Sequence, residues 1–208
     1  RGRLLEYGVS AEVFEDDNRP TTLKQRYRAA GKTLLRVSHL RQQAVSQEIA
    51  GRILNAVKEV LPTTDILIFS DFNYGCLPQS LVDEIVDACR SQKVLMVGDS
   101  QSSSQVGDVS RFKDMMLLTP TEREARLSLG DFSSGLVVIA EKLRKKSRAK
   151  NIIVTLGAEG LLAHAAPKTN DEWPTDRLPA FNGAPKDSAV AGDSLLACCS
   201  LSLAVGAD

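Results

Sequence analysis

The sequence predicts an α/β fold built on a mostly parallel sheet with helices on its faces. Residues 65–70 (DILIFS) form a continuous apolar run of the kind that a strand covered on both faces requires. Two further strands are predicted at residues 93–98 (KVLMVG) and 151–156 (NIIVTL), and amphipathic helical segments lie between the three. This alternation of strands and helices is typical of a parallel sheet, since parallel neighbours need crossover connections.

The remaining elements follow in order along the chain. Two extended runs between Thr21 and Val37 flank the turn residues Ala30 and Gly31, which predicts a β-hairpin over about residues 20–38. A helix begins near Val45 and ends where Leu61 meets Pro62. Further predicted elements are a helix from about Pro78, a strand from Met115, helices from Thr121 and over residues 134–146, a strand over residues 161–165, and an apolar helix ending near Val205. The polar segment from Ala166 to Arg177 is predicted to be a loop.

Composition limits the classes of function. With 208 residues, 43% of them hydrophobic, the chain suffices for one domain spanning residues 1–208. Its 26 basic and 26 acidic residues cancel, which argues against nucleic acid as a partner. The longest apolar run, residues 195–207, is too short to cross roughly 30 Å of hydrocarbon, so no membrane partner is predicted. Without a targeting pattern in the sequence, we expect a cytoplasmic protein.

The cysteines and histidines do not predict a metal centre. The four cysteines form no CxxC pair, and His39 and His164 have no partner at ligand spacing. Cys89, Cys198 and Cys199 fall within predicted helices, which favours reduced packing residues.

The strongest local signal is Ala191-Gly192-Asp193-Ser194, which opens the last predicted helix after a loop rich in small residues. Unpaired backbone N–H groups and the positive end of the helix dipole can hold a phosphoryl group there. Asp193 on the same turn can accept the proton of an attacking hydroxyl, which would place base and anion site together. On spacing alone, the simpler interpretation that Asp193 caps or charges the helix N-terminus stays open.

Two further motifs lie where predicted strands end. Thr155, Gly157 and Gly160 follow a strand, and glycines there let a backbone approach nucleotide phosphates, although an ordinary turn between strands has the same pattern. Thr121 and Glu124 have the spacing of a capping box. A single carboxylate such as Glu124 could also support magnesium, which keeps several waters, and the two roles are compatible.

Residues 187–194 (DSAVAGDS) are similar to the D-T-T-G-A-G-D-S signature of ribokinase-type (PfkB) carbohydrate kinases, and the other two motifs resemble that family's T-x-G-x-x-G and T-P-N-x-x-E patterns in the same order. The resemblance implies a ribokinase-like fold with a hairpin lid, and ATP and Mg²⁺ as cofactors. It implies that Asp193 is the catalytic base and that the backbone around Ala191 and Gly192 forms the anion hole. It assigns Thr155, Gly157 and Gly160 to the nucleotide phosphates and Glu124 to metal and phosphate.

Other segments resemble the family's heptose-phosphate kinase branch. Residues 70–75 and 99–101 correspond to S-D-Y-x-K-G and D-P-K, and Arg19-Pro20-Thr21-Thr22 with Lys24 and Arg26 also fits that branch. The resemblance implies a sugar or sugar phosphate as substrate, with Arg26, Asp71 and Asn73 binding it, a homodimer, and a place in the synthesis of nucleotide-activated heptose. Basic side chains suit a sugar phosphate, but a solvated hairpin face explains them equally well.

The chain departs from the family pattern at four positions. Val190 replaces a glycine, Thr121 an asparagine, and Tyr74 and Gln101 each replace a lysine. The family's glycine-rich start and its final helices are also missing, so we expect a chain truncated at both ends. These departures leave two alternatives: a kinase for another acceptor, such as ribose, fructose phosphate or a nucleoside, or a nucleotide-binding relative without catalysis.

Overall fold

A six-stranded sheet forms the centre of the molecule. The computed structural model describes residues 2–29, 32–101, 107–165, 174–181 and 191–207. The sheet strands lie in chain order: β3 (Ile66–Asp71), β4 (Leu95–Ser100), β5 (Leu117–Leu118), β6 (Asn151–Thr155), β7 (Leu161–Ala165) and β8 (Thr175–Leu178). The first four are parallel, whereas β7 and β8 are antiparallel to their neighbours. The predicted mostly parallel α/β sheet is confirmed.

Helices cover both faces of this sheet. The helices of eight or more residues are α2 (Gln47–Val60), α3 (Gln79–Gln92), α4 (Glu122–Leu129), α5 (Leu136–Ser147) and α6 (Ala191–Ala204). The larger core combines α2 to α5 with sheet residues such as Met96, Leu118 and Ile152. Val97 follows Met96 on β4 and Leu117 precedes Leu118 on β5, so both side chains point to the opposite face of the sheet. There they pack on Leu196 of α6.

The predicted hairpin forms a separate two-stranded sheet of β1 (Leu23–Ala29) and β2 (Lys32–His39). The strands are antiparallel, with a register shift between Tyr27 and Arg28. The predicted turn at Ala30 and Gly31 lies outside the described residues.

The prediction of a loop from Ala166 to Arg177 is wrong for its last residues. Residues 166–173 are not described, but β8 begins at Thr175 and pairs with β7. The sequence of β8, TDRL, contains one apolar residue because this edge strand is mostly exposed, so it lacks the alternation that identifies a strand. The short helix α1 (Gly2–Glu6) was likewise not predicted. Within the described ranges, no helix is long and apolar enough to span a bilayer.

Candidate active site at the carboxyl ends of the strands

Four carboxyl groups gather where β3, β4, β5 and α6 meet. Burial, together with the negative charges of Glu124, Asp193 and Asp71, raises the pKa of Asp99 to about 7 against a backbone hydrogen bond from Ser100 that lowers it. Asp99 itself is buried at the end of β4. Three predicted site residues from distant parts of the chain therefore lie near enough to a fourth acid to raise its pKa. That acid, Asp99, was predicted only as part of a motif.

Asp193 lies in the first turn of α6, where it is exposed together with its neighbours Ala191, Gly192 and Ser194. A side chain added at Gly192 would meet no heavy atom within 4 Å, so this turn has open space around it. Leu196, one turn further, is buried against the sheet and fixes the helix direction. An exposed helix start beside an acid can accommodate an anion and accept a proton. Residues 182–190, including Val190, lie outside the described residues.

Glu124 was predicted both to cap a helix start and to support a magnesium ion. Its Oε2 accepts hydrogen bonds from the backbone N–H of Thr121 at 2.8 Å and from the Thr121 hydroxyl at 2.7 Å. The Thr121 hydroxyl in turn accepts a bond from the Glu124 backbone N–H, so the predicted capping box is present. The carboxyl group is thereby held at the start of α4, close enough to Asp99 to affect its pKa.

The predicted nucleotide loop contains two glycines in different surroundings. Thr155 at the end of β6 donates its backbone N–H to Pro120, which ties this loop to the start of α4. Gly157 has φ +61° and open space where a side chain would be. Gly160 has φ +96°, and a Cβ there would lie 2.0 Å from the carbonyl oxygen of Leu178. Gly157 is therefore available to a ligand, whereas Gly160 serves the packing of β7 on the end of β8.

An open pocket of about 440 Å³ lies beside this loop. It is lined by Thr155, Leu156 and Gly157 from the loop and by Thr121, Glu122, Arg123, Arg126 and Phe132 from α4 and the segment after it. Its arginines were not predicted as site residues, because arginines on a helix face usually lie in solvent.

Asp71 and Asn73 join two loops of the site. Asp71 is buried, and its Oδ2 accepts a bond from Arg111 Nη2 at 2.8 Å while Oδ1 accepts the Asn73 backbone N–H. The Asn73 amide donates to Ser100 Oγ at 3.0 Å and to the Gln101 carbonyl at 2.7 Å. These bonds connect the ends of β3 and β4, so both side chains position the site. Their contact with substrate stays a prediction.

Two arginines remain to be placed: Arg26, which was predicted to bind substrate, and Arg111, which was not predicted. Arg26 is exposed on β1 opposite Arg36, and among the described residues it forms no ion pair with the acidic group around Asp99. Arg111 was missed by the sequence analysis, since its partner Asp71 lies 40 positions away and no short motif joins them.

The donor chemistry of the site suits magnesium. In the described part of the chain, no three His, Cys, Asp or Glu side chains form a group that could enclose a metal ion. Magnesium keeps several waters, so it needs only one or two carboxylates. Glu124 and Asp99 provide such oxygens, and a divalent cation would neutralise the negative charges of Glu124, Asp193 and Asp71, which add to burial in raising the pKa of Asp99.

A parallel sheet that brings carboxylates, an exposed helix start and a glycine turn to the carboxyl ends of its strands defines a class of α/β protein that binds its ligands at this edge of the sheet. Within that class, the chain belongs to the pfkB family of carbohydrate kinases, whose model matches residues 4–208. The family predicted from the motifs is thereby confirmed.

The relatives that match over nearly the whole chain include bifunctional proteins named HldE. The chain is 28% identical over 210 residues to the bifunctional protein HldE of Desulfatibacillum aliphaticivorans, covering 99% of this chain and 41% of the relative. It is 27% identical over 210 residues to HldE of Helicobacter hepaticus, covering 99% of this chain and 42% of that protein. The chain therefore spans less than half the length of these relatives.

Solved structures share the fold. Phosphofructokinase-2 of Escherichia coli, crystallised with potassium, superposes with a TM-score of 0.74 at 18% identity, covering 99% of this chain and 64% of that one. Ribokinase of Arabidopsis thaliana, complexed with ribose and ATP, gives a TM-score of 0.62 at 14% identity, covering 92% and 59%. The ribokinase-like fold class is confirmed.

Proposed function

We propose that this protein is an ATP-dependent sugar kinase that phosphorylates a hydroxyl of a sugar or sugar phosphate, with a heptose phosphate as the acceptor. The observation that carries the proposal is the position of Asp193 at the exposed start of α6, near enough to the buried Asp99 to raise its pKa, as Glu124 does from the first turn of α4. The similarity to HldE proteins supports the heptose acceptor.

Asp193 acts as the general base in this proposal. Its carboxylate accepts the proton of the acceptor hydroxyl, whose oxygen forms a bond to the γ-phosphorus as the bond from that phosphorus to the ADP oxygen breaks. Backbone N–H groups at Ala191 and Gly192, reinforced by the helix dipole, stabilise the charge on the transferring group. The open space at Gly192 supports this assignment.

The nucleotide phosphates contact Thr155 and Gly157, and Gly160 shapes the same loop. Glu124, with Asp99 beside it, would hold Mg²⁺, which when bound neutralises charge on the phosphates. The fixed orientation of the Glu124 carboxyl in its capping box supports this role.

Arg26, Asp71 and Asn73 are proposed to contact the acceptor directly or through the loops that they hold. We also propose a cytoplasmic location, because the reaction uses ATP, and a homodimer, because the resemblance to the heptose-phosphate kinase branch implies one. A related phosphofructokinase-2, solved in a tetrameric form, supports self-association without fixing the number of copies. The HldE similarity further suggests a place in nucleotide-activated heptose synthesis.

The test is the variant Asp193→Asn in the whole protein. Turnover, measured as ADP release with heptose phosphate, is expected to fall about 100-fold or more, as usual for loss of a general base, while ATP binding measured by calorimetry persists. Asp176→Asn, which changes an exposed carboxylate on β8, is the matched control and should leave turnover unchanged. Unchanged turnover in Asp193→Asn would refute the assigned base.

Two alternatives have their own readouts. The structural similarity to phosphofructokinase-2 and ribokinase favours other acceptors, which a panel of sugars and nucleosides would identify. Val190 in place of the signature glycine favours a nucleotide-binding relative without catalysis, which would bind ATP but release no ADP with any acceptor.

A further inference from the structure

Arg111 forms an ion pair beside the candidate active site that the proposed phosphoryl transfer does not use. Its Nη2 donates to Asp71 Oδ2 at 2.8 Å and to the carbonyl oxygen of Leu77 at 3.0 Å. The side chains of Arg111 and Asp71 are only 17% and 3% exposed. Removing one partner of a buried pair leaves the other charge without compensation, so the orientation of Asp71 depends on Arg111.

Arg111 ends a short 3₁₀ helix, Val109–Arg111, that is anchored in the core. Val109 is buried, and its backbone N–H donates to the Ser128 hydroxyl on α4 at 3.0 Å. The guanidinium carbon lies 4.5 Å from the ring centroid of Phe112, which is fully buried. These contacts fix the guanidinium on a rigid part of the molecule, from which it can hold the loop that follows β3.

Asp71 connects Arg111 to Asn73. Its Oδ1 accepts the backbone N–H of Asn73 at 3.0 Å, while Oδ2 accepts the bond from Arg111. Asn73 has φ +57°, a left-handed conformation that asparagine tolerates better than most residues, and a carboxylate two residues earlier stabilises such a turn. Because both carboxylate oxygens have donors and the side chain is buried, Asp71 offers little surface to a ligand.

The side chain of Asn73 is held at the end of β4. Its amide N–H groups donate to Ser100 Oγ at 3.0 Å and to the Gln101 carbonyl at 2.7 Å. Both donors are therefore used, and Oδ1 remains as an acceptor to which no described residue donates. Ser100 directly follows Asp99, whose pKa is raised by the charge of Asp193. A hydroxyl bound to Asn73 Oδ1 would thus lie beside the acidic group that contains the proposed base.

We propose that Arg111 is a positioning residue for the acceptor: through its ion pair with Asp71, it holds Asn73 so that Asn73 Oδ1 accepts a hydrogen bond from an acceptor hydroxyl. The inference rests on the proposed function for the acceptor's identity as a sugar. It assigns Asn73 to direct contact and Asp71 to support. Arg111 then affects binding of the acceptor and not of the nucleotide, whose proposed contacts Thr155 and Gly157 belong to the loop after β6.

Calorimetry on the whole protein tests the effect of Arg111 on the acceptor. Arg111→Met removes the charge and the donors but keeps an apolar stem over Phe112. It is expected to weaken binding of a heptose phosphate about tenfold while leaving binding of a non-hydrolysable ATP analogue unchanged. Arg111→Lys keeps a cation that can donate to Asp71 and should recover much of the loss. Arg148→Met, which breaks an exposed pair with Asp114 at 2.6 Å, is the matched control and should leave both affinities unchanged.

A double-mutant cycle tests whether Arg111 acts through Asp71. Asp71→Asn keeps the shape of the side chain and should weaken heptose phosphate binding by a factor similar to that of Arg111→Met. Because the two side chains form one unit, the double variant is expected to lose no more than either single variant. Losses that multiply would show that Arg111 acts independently of Asp71, which overturns the inference.

A spectroscopic readout separates this inference from the proposed kinase function. The side-chain amide signals of Asn73 in NMR spectra, assigned by their absence in Asn73→Asp, report its bonds to the end of β4. Arg111→Met and Asp71→Asn should both shift these signals and speed their exchange with solvent, whereas Arg148→Met should not. Unchanged signals overturn the positioning role even if ADP release is observed.

The remaining outcomes are also decided. If the unchanged protein binds no heptose phosphate, the acceptor given in the proposed function is wrong, while the Asn73 signals still support or overturn the role of Arg111. If urea unfolding shows that Arg111→Met does not fold, Asp71→Asn takes its place, because it breaks the same ion pair with almost no change in volume. A loss confined to the ATP analogue overturns the inference, because Arg111 would then act on the nucleotide.

Discussion

At the scale of single residues, the two glycines of the nucleotide loop illustrate how one motif combines two requirements. Both have positive φ angles, which residues with a Cβ atom rarely adopt. Only Gly160 is enclosed, since the Leu178 carbonyl occupies the position of its Cβ, whereas Gly157 faces open space. The sequence pattern showed both glycines but did not distinguish a glycine required for packing from one available to a ligand.

Alanine substitutions at these positions should therefore have opposite signatures. Gly160→Ala is expected to destabilise the protein by about 2–3 kcal/mol, because both its backbone angles and its neighbour exclude a side chain. Gly157→Ala should cost about 1 kcal/mol from its positive φ and should weaken ATP binding in the folded protein. Urea unfolding and calorimetry measure the two effects, and equal losses of stability would contradict the distinction.

At the scale of elements, a buried polar network joins α5 to the two antiparallel strands. His164 on β7 contacts Glu141 Oε2 at 3.1 Å through Nε2 and the Thr175 hydroxyl on β8 at 2.7 Å through Nδ1. Arg144 adds two hydrogen bonds to Glu141. Burial alone would raise the pKa of Glu141, but the hydrogen bonds from Arg144, His164 and Lys145 outweigh it and lower the pKa to about 2.

Glu141→Gln should consequently have a pH-dependent cost. A carboxyl whose pKa is lower in the folded state stabilises the fold above its ordinary pKa of 4.5, and this contribution is lost as the pH falls towards 2. We expect a loss of about 1–3 kcal/mol at pH 7 that shrinks in acid, measured by urea unfolding across pH. Glu159→Gln, in an exposed pair with Arg177, is the control and should change stability little. A loss independent of pH would contradict the account.

The predictability of an element depended on how much of it is buried. The helix α3 was predicted because its buried residues repeat at helical spacing, from Leu81 to Cys89. The exposed strand β8 gave no such signal. Contacts such as that between Arg111 and Asp71 could not be predicted, because they depend on how the sheet places residues far apart in sequence. The positions of Asp193 and Glu124 could be predicted, since capping and anion sites are local to a helix start.

At the scale of the molecule, the site is assembled from most of the fold. Asp71, Asp99, Glu124 and Asp193 belong to four separate elements, and their carboxyl groups affect one another only because the parallel strands end together. Repulsion among these groups opposes folding and adds to the larger effect of burial in raising the pKa of Asp99. A ligand that brings magnesium and phosphates to this end of the sheet would remove that repulsion and connect the elements.

Binding of MgATP should therefore stabilise the whole protein against unfolding. A ligand that binds only the folded state adds about 2.7 kcal/mol when present at 100 times its dissociation constant. We expect thermal unfolding to shift upward with MgATP and by less when ATP is added with EDTA, since the carboxylates then repel the uncompensated phosphates. Asp193→Asn should keep the shift, because it removes one negative charge and leaves the nucleotide loop intact, whereas Gly157→Ala should reduce it. Equal shifts with and without the metal would contradict a role for Asp99 and Glu124 in holding magnesium.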